Sequence, residues 1–190
     1  MNKGRNGRLT LPNFSEESRF KKYLDRWQSV IEEDRDSILN FLQEIFREFR
    51  EYVRDSPNVT YLPTTILTFC TTDQLRELER KDKEKGFSVE NTRRPATSIC
   101  VQSRHRARIY VDLEHLFALQ KSEGAITFLY NLSEAYVHEI LHTAFPQKEQ
   151  EENQEYEQRI FDMQFPLLEL FLEVNIPEER KRMRAKDFYR

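Results

Sequence analysis

Residues 137–142 read Val137-His138-Glu139-Ile140-Leu141-His142, and the reading of the whole chain starts from this stretch. Histidines four residues apart on a helix lie one above the other on a single face. From there both imidazoles can reach one metal ion with bonds of about 2.0–2.1 Å. Glu139 directly follows the first histidine. Its carboxylate is therefore expected beside the metal rather than on it, placed to take a proton from a water that the metal holds. The surroundings predict a helix over 125–145. Ile126, Leu129, Tyr130, Leu132, Tyr136, Val137, Ile140 and Leu141 make it apolar nearly all round, which implies burial, and no Gly or Pro interrupts it before Pro146. Two buried imidazoles beside a carboxylate are costly to satisfy without a metal ion, so the pair is read as a metal site.

A third ligand is expected from outside this helix. After Pro146 the chain runs Gln147-Lys148-Glu149-Gln150-Glu151-Glu152-Asn153-Gln154-Glu155-Tyr156-Glu157, which is strongly helix-forming. A short turn at Pro146 would make the two helices antiparallel neighbours. The level of the metal, midway between His138 and His142, lies six residues before that turn, and six residues beyond it is Glu152. Glu152 also shares a face with Tyr156 and Ile160, so it is the expected ligand. Glu155 is the second choice, and Glu151 and Glu157 are expected to point elsewhere.

His138-Glu139-Ile140-Leu141-His142, followed by a glutamate-bearing helix, resembles the gluzincin branch of the zincin metallopeptidases. The Phe145-Pro146 pair and the acidic helix start after it are similar to small, minimal gluzincin-type proteins. The resemblance covers residues 98–172. No glycine stands two or three places after His142 and no histidine follows it, which separates the chain from the metzincin pattern. The Asn-Glu and Glu-x-x-x-Asp signatures around the third ligand of larger gluzincins are also missing. The resemblance implies an α+β, zincin-like fold: a small antiparallel or mixed sheet, an active-site helix, a glutamate helix and an N-terminal helical extension. It implies Zn²⁺ held by His138, His142 and Glu152 with one position left for water, and Glu139 as the base that activates this water against a peptide bond. It further implies a peptide or protein substrate laid along a rim strand, for which Arg106-Ala107-Arg108-Ile109-Tyr110-Val111 is the candidate.

Composition sets the outer bounds. A chain of 190 residues predicts one domain, and 38% hydrophobic against 33% charged residues predicts a modest core, enlarged by 14 Phe and 8 Tyr. The formal charge of −3 offers no general attraction to nucleic acid or anionic lipid. No run of about 18 apolar residues is present, so no membrane span is expected. Cys70 and Cys100 lack a Cys-x-x-Cys spacing and sit in apolar runs. They read as buried thiols of a reducing compartment, and the polar, basic start at residues 1–8 has no apolar signal core, so a cytoplasmic protein is expected.

Along the chain, residues 1–14 read as a flexible basic arm and 15–177 as the catalytic domain, with 178–190 a charged tail. Within the domain, 15–55 is a helical scaffold, two helices or one long bent one: Phe20, Tyr23, Leu24, Trp27, Val30 and Ile31, then Ile38, Phe41, Leu42, Ile45, Phe46, Phe49, Tyr52 and Val53, follow helical spacing on either side of a charged patch at 32–36. The region 60–113 carries the sheet, with strands predicted at 64–71, 97–102 and 106–113 and a charged helix at 73–85. The metal-site helices occupy 122–172, with a kink or break at Phe165-Pro166. Glu134, one turn before His138, reads either as a partner orienting an imidazole or as a solvated side chain. Tyr156 reads as a core tyrosine or an oxyanion donor, and His105 and His115 are not assigned as ligands. The arm or the tail could cover the cleft, with Asp187 able to reach the metal in place of water. A di-iron bundle would need two Glu-x-x-His motifs, and the chain has one. The rival that stays open is a zincin-like scaffold that binds metal or a partner without turnover.

Overall fold

The computed structural model describes residues 11–84, 98–103 and 106–182. It is a mixed α and β structure, mostly helical, with two small sheets. The first strand, β1 (Asn13–Phe14), is followed by α1 (Arg19–Val30) and α2 (Arg35–Arg54). Ser18 starts α1 by accepting the Lys21 amide at 3.1 Å, and Asp34 starts α2 by accepting the Ser37 amide at 2.8 Å. The charged patch between the two apolar stripes is thus a break that holds a cap. Both stripes are buried at most of the expected positions, with Ile31, Ile38 and Tyr52 half-buried at their margins.

Next come β2 (Thr64–Cys70), α3 (Thr72–Glu84), β3 (Ser98–Ser103) and β4 (Arg106–Asp112). They form a mixed sheet in the order β2-β4-β3, with β2 parallel and β3 antiparallel to β4. Along β4, Ala107, Ile109 and Val111 are buried while Arg106 and Arg108 are exposed, the alternation of a strand with one covered face. The expected rim strand 106–111 is therefore corrected. It is the central strand, its backbone paired on both sides, and it has no edge to offer a peptide. Among the described residues the outer strands of this sheet are β2 and β3.

Two helices then meet at one glycine. α4 (Leu113–Glu123), which apolar periodicity did not reveal, begins where Asp112 accepts the His115 amide at 3.0 Å. Gly124 donates its N–H to Gln120 O at 2.9 Å and accepts from Phe128 N at 3.1 Å, so it ends α4 and starts α5 (Ala125–Ala144). α5 is the central element, packed on α1, α2, α4, β3 and β4 and on the helix that follows it. Trp27 of α1 stacks on Phe128 with ring centroids 4.5 Å apart, and the Tyr136 hydroxyl donates to Leu42 O of α2 at 3.1 Å. The N-terminal helices are thus the floor under the helix that carries the histidines.

The chain ends with α6 (Asn153–Leu172), β5 (Val174–Asn175) and α7 (Glu178–Lys181). α6 runs through Pro166 without the expected break. Pro166 and Asp162 are both exposed, so water can serve the carbonyl that proline leaves without a donor, while Phe165 and Leu168 are buried and hold the helix down. The flexible arm expected at 1–14 is fixed at its inner end, where β1 pairs antiparallel with β5 and Arg19 N donates to Glu173 Oε2 at 2.8 Å. The tail expected from 178 is likewise anchored at first. Arg180 is 5% exposed and its Nε donates to Glu134 Oε1 at 2.9 Å. Residues 1–10 and 183–190, with the proposed cover residue Asp187, lie outside the described residues, as do His105 and the loop at 88–97.

Gly124 has φ +90° and ψ 175°, a conformation open essentially to glycine alone, and a Cβ built there meets nothing within 4 Å. Gly124→Ala therefore tests backbone strain free of clashes. Urea denaturation is expected to show a loss of about 1–3 kcal/mol.

Candidate metal site

α5 carries His138 and His142 on the face that meets α6, and α6 brings Glu157 to them. The two Nε2 atoms are 3.0 Å apart. Glu157 Oε2 lies 3.5 Å from His138 Nε2, and Glu157 Oε1 lies 3.5 Å from His142 Nε2. Ligands at about 2.0–2.1 Å on tetrahedral corners are about 3.3–3.4 Å from one another. The three donors therefore stand almost where three corners of one tetrahedron would be. Their side chains are 15–19% exposed, so the site is partly open to solvent.

The far side of each ring explains why these nitrogens face inward. His138 Nδ1 lies 2.9 Å from Gln164 Oε1, an acceptor, so Nδ1 carries the proton and Nε2 is bare. His142 Nδ1 lies 2.9 Å from the Tyr156 hydroxyl, which in turn donates to His142 O at 3.4 Å. With the phenol proton turned to that carbonyl, Nδ1 of His142 is the donor and its Nε2 is bare as well. Two lone pairs and a carboxylate converge on one point and require a positive charge. Without a metal ion a proton takes that place. Burial opposes charging His138, but the Glu157 and Glu139 carboxylates raise it to about 9. Burial likewise works against an ionised Glu157, and the two histidines nevertheless hold it well below the usual carboxylate range. The chemistry of the donor set and its spacing fit a bound metal ion.

Glu139 stands beside this group and not in it. It is 5% exposed, and its Oε1 accepts a hydrogen bond from Ser98 Oγ of β3 at 2.7 Å. Burial first, and then the Glu139 charge, push the Cys100 thiol of β3 well above its ordinary value. So β3 lies along one side of the site and α6 along the other. Glu139 is thus outside the group of residues that could hold a metal ion.

The acidic residue that joins the two histidines is Glu157, where Glu152 was expected. Glu152 is the N-cap of α6, and Glu152 and Glu155 are both exposed, lining an outward depression with Gln158, Asp162 and Met163. The short turn at Pro146 does not exist; residues 145–152 connect the helices. Glu151 folds this connection on itself, accepting from Lys148 N at 2.9 Å and pairing with Arg159 at 2.8 Å. Arg159 holds the Glu151 carboxyl down at about 2 and also donates to Pro146 O at 3.2 Å. Counted from the true ends, the geometry closes. Ala144 is four residues past the midpoint of the histidine pair, and four residues past Asn153 is Glu157. A signal was present: Glu157 shares a face with Ile160, Phe161 and Gln164, all buried. Gln164 was also missed, because a glutamine among Phe161, Phe165 and Leu168 resembles an interruption of the stripe rather than a partner for a histidine. Glu134, read as a partner for an imidazole or a solvated side chain, is neither. It pairs with buried Arg180.

Compared with protein-family models, with curated proteins and with solved structures, the chain finds no match in any of the three.

Elemental analysis after dialysis is expected to find about one metal ion per wild-type chain. Glu157→Ala, like His138→Ala, should remove it, while Glu152→Ala and Glu155→Ala keep it. Gln164→Leu and Tyr156→Phe free the imidazoles behind the site. In a chelator competition each should weaken metal binding by about 10–100-fold.

Proposed function

We propose that this chain is a zinc-dependent metallopeptidase of zincin-like build, with His138, His142 and Glu157 as the metal ligands and Glu139 as the catalytic base. The observation that carries the reading is the juxtaposition of two unlike features: three donors 3.0–3.5 Å apart, and a buried carboxylate next to them that is not one of them. A metal held only for stability needs closed coordination and no base. Two imidazoles and one carboxylate in a tetrahedral set suit zinc, and three protein ligands leave a position open.

Zinc bound there would supply a Lewis acid that polarises a peptide carbonyl and makes a water more acidic. The protein supplies the rest. Glu139 accepts the proton of the attacking water and passes it to the leaving amine. Gln164 and Tyr156 fix the tautomer and orientation of the two imidazoles. Among the described residues β3 is paired on one side alone, so its other edge can take an extended peptide as an added strand alongside α5, the part first expected of 106–111. No helix among the described residues is long and apolar enough to cross a membrane.

The test is hydrolysis of an unfolded protein such as casein by the zinc-loaded chain. Glu139→Gln should keep its zinc and lose about 10²–10⁴-fold in kcat. Equal turnover by Glu139→Gln, or none by a wild-type chain holding one zinc, would leave a metal-binding scaffold as the better description.

A further inference from the structure

We propose that Ser98 is a positioning residue for Glu139: its hydroxyl holds one carboxylate oxygen so that the other is kept for the reacting proton. The inference rests on the peptidase reading and adds to it a residue outside the motif, on another element and about forty positions earlier in the chain.

Three observations support it. First, the Ser98 Oγ to Glu139 Oε1 bond, at 2.7 Å, is the length of a hydrogen bond to a charged oxygen. Second, Glu139 is 5% exposed on a helix that is buried on nearly all sides. A buried carboxylate in that position depends on each donor it has. The serine hydroxyl goes to Oε1, so the two oxygens are already differentiated by it. Third, Ser98 does not float on a loop end. It is in register with Val111 of β4, itself fully buried, so the donor is set by the sheet and not by Glu139's own helix. A carboxylate gripped from a second element cannot swing between rotamers, and misplacement of a reacting group by about 1 Å is worth about 10²-fold in rate. The side-chain hydroxyl is the acting part. The backbone edge of β3, where a peptide would seat, stays the same when the side chain is changed.

The experiment compares Ser98→Thr with Ser98→Val, which have nearly the same shape and differ by the hydroxyl. In the zinc-loaded full chain, S98V should lose about 10–100-fold in kcat at unchanged KM and zinc content, and S98T should keep most of the wild-type kcat. Equal kcat for S98T and S98V, with zinc retained, overturns the proposal and leaves the peptidase reading standing. A second readout needs no turnover. In urea unfolding of the metal-free protein, the double-mutant cycle of S98V with Glu139→Ala should be non-additive by about tenfold or more in the folding equilibrium constant. Additive effects overturn the proposal. A wild-type chain without turnover but with a non-additive cycle instead puts the failure on the peptidase reading, with the Ser98–Glu139 bond intact.

Discussion

Two imidazole nitrogens 3.0 Å apart, each 3.5 Å from the same carboxylate, are best held together by a positive charge between them. Much of the fold can be understood as what holds these atoms in that repulsive arrangement. α6 supplies the carboxylate of Glu157 and also the two groups behind the rings, Gln164 and Tyr156. Because the three residues share one helix, any movement of α6 along α5 would disturb the ligand and both orienting bonds together. The site is therefore defined by how the two helices pack and not by the histidine pair alone. Phe161 contributes to that packing, with its ring centroid 5.0 Å from that of His138.

The register of the two helices is set at their far ends. Toward the connection, Glu151 and Arg159 tie residues 145–152 into a closed loop that starts α6 late. Toward the other end, Phe171 of α6 lies against Phe49 of α2, with centroids 4.1 Å apart, and carries the Arg19 guanidinium over its face. The stack of Trp27 on Phe128 and the Tyr136 bond to Leu42 hold α5 to the same N-terminal pair of helices. So α1 and α2, which contribute no residue to the site, act on it by fixing both of its helices to one floor. The Glu134–Arg180 pair adds a further tie, from α5 to α7. A buried ion pair of this kind contributes little net stability when intact, but leaves a charge uncompensated when one partner is removed.

Periodicity and short-range chemistry were legible in the sequence: the apolar stripes of α1, α2 and α5, the strands near 64–71, 97–102 and 106–113, and the spacing that puts His138 and His142 on one face. These depend on neighbours within a few residues, so the sequence alone determines them. Gly124 shows where such reading stops. One residue in a glycine-only conformation separates α4 from α5, and it hid a helix whose apolar face is weak. Pro166 shows the reverse, a local breaker overruled by burial of the residues around it.

Tertiary structure alone decided which acidic residue joins the histidines. Residues 147–157 hold five glutamates in a helix-forming run, and composition cannot say where in that run the helix begins. The Glu151–Arg159 bond and the left-handed turn at Gln150 delay the start to Asn153, and a delay of that size brings Glu157 rather than Glu152 to the histidines. The order of strands was likewise beyond the sequence. β4 takes the centre of the sheet, leaving β3, with Ser98, beside Glu139. The sequence determined which side chains could do metal chemistry, because that is a property of residue type and spacing. Packing determined which of them meet, because that depends on where helices start and which strand edges remain free.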